Sequence, residues 1–83
     1  MSHDELKMAH RKAVGTKQTI KALERGEAEA VYLAMDADER ITKSVLELCK
    51  ANGVEIIYVD TMAQLGKACG IEVGAASVAI LVN

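Results

Sequence analysis

The chain has 83 residues, of which 51% are hydrophobic, and it contains two Tyr, no Trp, no Phe and a net charge of -2. This length predicts a single domain, residues 1–83, which buries only about 60–65% of its unfolded surface and therefore needs a well-packed core. So few aromatic residues argue against a protein that binds single strands by stacking bases on aromatic side chains. No run approaches the ~20 apolar residues of a membrane span, and we therefore expect a cytoplasmic protein.

The first residues predict an amphipathic helix. Ser2 and Glu5 have the spacing of a capping box, and apolar residues at helical spacing extend the pattern to Ala13. The pair Val14-Gly15 then interrupts it.

A second helix is predicted from Thr16 to Arg25, with Gly26 in the usual position after a helix end. At about 100° per residue, its apolar and polar side chains separate onto two sides. The apolar side holds Thr16, Ile20 and Leu23. A polar arc of roughly 100° on the other side holds Lys17, Gln18, Lys21 and Arg25.

Apolar runs predict three strands in the rest of the chain. The runs 30–35 and 54–59 are continuous, which is typical of strands covered on both faces. A last strand is predicted from Ser77 to Val82.

Two further helices are predicted between these strands. The first follows the acidic turn Asp36–Glu39, which suits a helix N-terminus, and ends at Asn52-Gly53. Its apolar side holds Ile41, Val45, Leu48 and Cys49. The second begins with a capping box from Thr61 to Gln64 and ends at Gly70.

Strands that alternate with helices over short connections predict parallel pairing through right-handed crossovers, with helices on both faces of the sheet. We therefore predict an α/β fold, a three-layer α/β/α sandwich with a small mixed, largely parallel sheet of about four strands.

No residue pattern predicts an enzyme. Cys49 and Cys69 fall on the apolar sides of their helices and lack a neighbouring Cys or His at metal-ligand spacing. The glycines from Gly66 to Gly74 follow a helix, whereas a dinucleotide-binding motif opens one after a strand. We expect no catalytic residue, no cofactor and no metal site.

The segment from Gly15 to Lys21 carries the clearest functional signal. A helix start presents free backbone N–H groups and partial positive charge, and Lys and Gln side chains suit the edge of a guanine. Residues 1–25 hold six cations and three anions, whereas residues 26–83 hold four cations and nine anions. Since the groove of regular A-form RNA is too narrow for a helix, this segment indicates bent or irregular RNA. An ordinary solvated helix is the alternative.

The loop from Gly70 to Gly74 contains the branched apolar residues Ile71 and Val73. These side chains either tuck under the sheet or form an apolar ledge that covers an unstacked base. The residue pattern leaves both possibilities open.

These segments resemble the L-seven-Ae ribosomal protein family and, within it, the short bacterial members. The matching segments are Gly15–Lys21, Asp36–Asp38 and Leu65–Ile80, in the same order. The resemblance covers nearly the whole chain. It implies an α/β/α sandwich that recognises kink-turn RNA, in which tandem sheared G·A pairs lie beside a sharp bend.

Carried over by position, the resemblance implies an RNA site of eight residues: Gly15, Thr16, Lys17, Gln18, Lys21, Ile71, Glu72 and Val73. Lys17 and Gln18 are expected to face the sheared-pair guanines, and Lys21 the guanine edge or the nearby backbone. Residues 71–73 are expected to pack on the flipped-out base. Archaeal and eukaryotic members usually have Asn-Glu at positions 17–18, and often Pro at position 39.

The expected protein is a monomer with no membrane contact, and its expected partner is structured RNA containing a kink-turn, from the ribosome or from a riboswitch. A protein-interaction module on the ribosome without direct RNA readout is the alternative. A small nucleotide-binding or redox enzyme ranks below both.

Overall fold

The computed structural model describes residues 11–82. These residues form β1 Lys12–Val14, α1 Thr16–Glu24, β2 Ala28–Ala34, α2 Glu39–Asn52, β3 Glu55–Val59, α3 Met62–Ala68 and β4 Ser77–Leu81. The predicted N-terminal helix lies mostly outside the described residues. Its predicted end is wrong, because residues 12–14 form a strand that pairs with β4.

The four strands form one sheet in the order β1-β4-β2-β3. β2 and β3 pair in parallel, whereas β4 runs antiparallel to both of its neighbours, β1 and β2. The mixed four-stranded sheet is confirmed, but the expectation of largely parallel pairing is corrected, because one pairing of the three is parallel.

The direction of β4 is set by residues 70–76, here called the return segment, which run back along α3. Ile71 N–H donates to the Gly66 carbonyl oxygen at 3.1 Å, near the end of the helix, and Ala75 N–H donates to the Met62 carbonyl oxygen at 3.1 Å, at its start. The chain therefore returns to the end of the sheet where β3 ended. β4 begins there and runs antiparallel to β2, instead of crossing to the opposite end and running parallel to it.

Helices cover both faces of the sheet, so the three-layer prediction is confirmed. On one face, α1 and α2 pack over a buried cluster of Ala22, Leu23, Val31, Leu33, Val45, Cys49 and Ala79. On the other, α3 and the return segment pack over Tyr32, Ala34, Val59, Leu65, Ala75, Val78 and Ile80. Successive residues of β2 and β4 alternate between the two clusters, as the pleat of a strand requires.

Burial differs from the prediction at two strands. β2 is buried from Ala30 to Ala34, but Met35 follows the strand and is 65% exposed. β3 was expected to be covered on both faces, yet Val59 is its only buried residue. β3 has one neighbour in the sheet, and this edge position leaves its other side chains partly or largely exposed.

The predicted ends of the other three helices agree closely with the structure. Thr61 Oγ accepts a hydrogen bond from Gln64 N–H at 3.1 Å at the start of α3. Gly53 has the left-handed φ of 65° at the end of α2, where glycine is the residue that adopts this conformation without strain.

Candidate nucleic-acid interface

The starts of all three described helices lie at one end of the strands, here called the helix-start edge. β1, β2 and β3 end there at Val14, Ala34 and Val59, and β4 begins there at Ser77. Each helix follows its strand directly, so α1, α2 and α3 all begin at this helix-start edge. The return segment ends at the same place.

Gly15 connects the two predicted parts of the RNA site. Its φ of 98° is favourable for glycine alone. Its N–H donates to the Ser77 carbonyl oxygen at 2.9 Å, and its own carbonyl oxygen accepts from Thr19 N–H at 2.9 Å and Thr19 Oγ at 2.8 Å. The start of α1 is therefore hydrogen-bonded to the residue that follows the return segment.

The start of α1 differs from the other two helix starts. The Asp38 carboxylate caps α2 by accepting Arg40 N–H at 2.8 Å, and Thr61 caps α3. In contrast, within residues 11–82, α1 begins at Gly15 with no side-chain cap and no acidic residue in its first turn. Its first backbone N–H groups lack intrahelical acceptors and carry partial positive charge, so they can receive an acceptor or an anion.

The α2 start already carries its own negative charge. Hydrogen bonds from the Arg40 side chain and backbone lower the pKa of Asp38 below its ordinary value. Asp38 is therefore ionised at neutral pH, which makes the α2 start a poor place for a phosphate and leaves the α1 start as the basic one.

Three predicted RNA contacts project from α1 into solvent. Lys17, Gln18 and Lys21 are all exposed, whereas Thr16 is half-buried. The predicted polar side of this helix is therefore the side that the protein leaves uncovered.

The buried side of α1 is rotated from the predicted one. Its fully buried residues are Thr19, Ala22 and Leu23, while Thr16 and Ile20 are half-buried. Thr19 can be buried because its hydroxyl donates to a backbone carbonyl, which removes the cost of burying an unpaired polar group.

The return segment combines both outcomes that the sequence left open. Ile71 is half-buried and packs against the cluster under α3. Glu72 and Val73 are exposed, and Val73 has 71% of its surface accessible. One apolar side chain of the loop therefore anchors it, and the other stands out as a ledge.

Two glycines, Gly66 and Gly74, hold this loop in place, a packing role that the sequence analysis did not assign to them. A Cβ on Gly66 would overlap the Val73 carbonyl oxygen, and a Cβ on Gly74 would lie 3.1 Å from Met62 Cβ. Glycine at both positions lets the backbones of α3 and the return segment touch. The available signal was a pair of glycines that enclose the loop at a spacing of eight residues.

Asp36 is a third residue that supports this loop, and the sequence analysis did not identify that role. It was grouped with the acids before α2, but its carboxylate accepts Met62 N–H at 2.8 Å. Since Met62 also accepts Ala75 N–H, Asp36 ties the turn after β2 to the start of α3 and, through it, to the return segment.

The cysteines have the environment of core residues. Cys49 is buried and Cys69 is half-buried, and burial raises the pKa of both thiols. Reactive cysteines have a lowered pKa.

Within residues 11–82, no cluster of three His, Cys, Asp or Glu side chains could hold a metal ion. No helix of that part of the chain is long and apolar enough to span a membrane.

Residues 2–83 match the ribosomal protein L7Ae/L30e/S12e/Gadd45 family. The chain belongs to this family. An "RNA-binding protein" of Bacillus pumilus is 52% identical over 81 residues, which are 98% of this chain and 99% of that protein. The "RNA-binding protein YbxF" of Geobacillus stearothermophilus is 48% identical over the same shares of the two chains.

Solved structures agree with this family assignment. The "Giardia lamblia 15.5kD RNA binding protein" superposes with a TM-score of 0.85 at 26% identity, over 98% of this chain and 68% of that one. The resemblance to short bacterial members of the L7Ae family is confirmed, and the chain joins a family of RNA-binding proteins that are not enzymes.

Proposed function

We propose that this protein is a cytoplasmic RNA-binding protein that recognises a kink-turn and stabilises its bent form, in ribosomal RNA or in a riboswitch. The observation that carries the proposal is the joint between Gly15 and Ser77. This joint holds the uncapped, cationic start of α1 beside the segment that exposes Val73. Membership of the L7Ae family supports RNA as the ligand.

The α1 start supplies the base-reading part of the proposed site. The Lys17 ammonium can donate to the O6 and N7 acceptors of guanine, and the Gln18 amide can both donate and accept beside it. Lys21 lies one helical turn further and reaches the guanine edge or the adjoining phosphates. A kink that opens the major groove gives these side chains access that regular A-form RNA denies them.

The return segment supplies the proposed apolar part. Val73 is exposed next to Glu72, so a base that leaves the stack at the kink can cover the valine side chain. Burying a valine completely is worth about 1.5–3 kcal/mol, and covering one side of it is worth about half as much. Ile71 supports this contact from below, through its packing on the core.

A two-dye distance assay tests the proposed function. One dye is placed on each stem of a kink-turn RNA, and a control RNA carries Watson–Crick pairs in place of the G·A pairs. Because a ligand shifts a conformational equilibrium by its differential affinity for the two states, we expect the protein to shorten the dye distance in the first RNA only. An unchanged distance at saturating protein contradicts kink-turn recognition.

Val73→Ser separates direct RNA contact from the alternative of a protein-interaction module. We expect roughly fivefold weaker kink-turn binding, about 1 kcal/mol, with unfolding stability changed by less than about 0.5 kcal/mol because the side chain is exposed. Titration of labelled RNA measures the first quantity and denaturant unfolding the second. Tyr58→Ser is the matched control, since Tyr58 is also exposed and lies on β3, the strand farthest from β1. Unchanged RNA binding by Val73→Ser, with loss of a ribosomal protein partner, favours the alternative.

A further inference from the structure

We infer that the RNA-binding surface has a second part, a groove between α1 and β1 that holds the phosphodiester backbone of the RNA. This inference rests on the proposed function and extends it beyond the eight predicted residues. The groove has a volume of about 260 Å³, and its polar and charged lining residues are Arg11, Gln18, Lys21, Arg25 and Glu27.

The charge of the α1–β1 groove is strongly positive for so acidic a protein. Arg11, Lys21 and Arg25 line it against a single carboxylate, Glu27. All three cations are exposed, and none forms a salt bridge with another residue between 11 and 82. Phosphates can therefore neutralise these cations without first breaking a salt bridge within residues 11–82.

The groove begins at the proposed base-reading turn. Gln18, Lys21 and Arg25 are three and four residues apart, so they form one stripe along α1. From position 18 to position 25 the helix rises about 10 Å, so the three side chains are spread along the helix instead of meeting at one point. A strand read at Gln18 can continue along this stripe toward Arg25.

Arg11 closes the groove from the opposite wall. One of its terminal nitrogens donates to the Val82 carbonyl oxygen at 3.2 Å, which restrains the side chain at the side of β1. An arginine carries five N–H donors, so most of them remain for phosphate oxygens. Arg11 and the α1 stripe can therefore hold one strand from two sides.

A second groove lacks this excess of positive charge. That groove, of about 370 Å³, lies along α2 and contains two lysines, Lys43 and Lys50, balanced by two glutamates, Glu39 and Glu47. Its charges cancel, so it offers no net attraction to a polyanion. Lys50 is consequently a matched control for the cations of the α1–β1 groove.

Charge-removing variants test the inference on two RNAs, a kink-turn and a regular duplex. Arg11→Gln, Arg25→Gln and their double variant are compared with Lys50→Gln, and affinity is measured at several salt concentrations. A phosphate contact contributes about one to the slope of log affinity against log salt. We expect each single variant to lower that slope by about one, and the double variant by about two. We expect affinity to fall roughly three- to tenfold on both RNAs, because phosphates are common to both.

The outcomes distinguish this inference from the proposed function. Suppose that the wild-type protein bends the kink-turn but the arginine variants show the same slope of log affinity against log salt as Lys50→Gln. The inference that the groove binds phosphates is then overturned, and the proposed function stands. If the arginine variants lower the slope while the wild-type protein binds both RNAs equally, kink-turn recognition is overturned and the groove stands. Absence of binding to either RNA overturns both.

Discussion

Gly66→Ala is expected to destabilise the protein by about 2 kcal/mol and to weaken binding of kink-turn RNA by roughly tenfold, or about 1.4 kcal/mol. Alanine would favour the helix by about 1 kcal/mol, but its methyl group would overlap the Val73 carbonyl oxygen and lie 3.1 Å from Gly74 Cα. Overpacking costs about 1–3 kcal/mol, occasionally more, and overlap with backbone atoms belongs at the upper end, which leaves about 2 kcal/mol after the helix gain is subtracted. The neighbours here are backbone atoms, which cannot rotate away, so the return segment must move off α3 and take Val73 with it.

Gly53→Ala is the matched control for this prediction. Gly53 has a φ of 65° and no atom within 4 Å of the position of a Cβ, so alanine pays only the left-handed backbone cost of about 1–2 kcal/mol. Gly53 lies at the C-terminal end of α2, away from the helix-start edge. Denaturant unfolding and RNA titration of both variants give the comparison. If Gly66→Ala binds RNA as tightly as Gly53→Ala does, the return segment makes no contribution to the site.

Local features of the fold could be predicted from the sequence because their causes are local. The Thr61 cap uses the backbone N–H three residues later, at Gln64, and the end of α2 needs a residue such as Gly53 that tolerates positive φ. Likewise, the apolar run from residue 30 indicated a strand buried on both faces, and β2 is such a strand. Each of these signals lies within a few residues of the element that it predicts.

Features that depend on distant contacts escaped prediction. β1 has three residues, too few to show the alternation of a strand, and its state depends on pairing Lys12 with Ile80 and Val14 with Val78. The direction of β4 depends on how the return segment packs on α3. An equally short connection could have crossed over to give a parallel strand.

The candidate site likewise has a part that local sequence patterns predicted and a part that depends on distant contacts. Exposure of Lys17, Gln18 and Lys21 followed from helical periodicity and is observed. In contrast, the different burial of Ile71 and Val73 depends on a backbone approach at Gly66, for which the glycine spacing from Gly66 to Gly74 was the only sequence signal. The wall that Arg11 adds to the α1–β1 groove depends on β1 pairing and was invisible for the same reason.

Lys17→Ala is expected to weaken binding of kink-turn RNA by about 1–3 kcal/mol and to relax the preference for the G·A pairs. Lys17 is exposed in the first turn of α1, so its removal leaves no cavity and should change stability by less than about 0.5 kcal/mol. The measurement is a titration with two RNAs, one with the sheared G·A pairs and one with Watson–Crick pairs in their place. We expect a large loss on the first RNA and a small one on the second.

The ratio of the two losses decides what Lys17 does, because a phosphate contact lowers affinity for every RNA by a similar factor, whereas a base contact lowers it for one sequence. Lys50→Ala, at the far end of α2, should leave both affinities unchanged. Equal losses on the two RNAs would instead mean that Lys17 contacts the phosphate backbone of the RNA, as we infer for Arg25. Recognition of the guanines would then depend on Gln18 and on the amides of the α1 start, a smaller set of donors that would make the bend itself the main determinant of specificity.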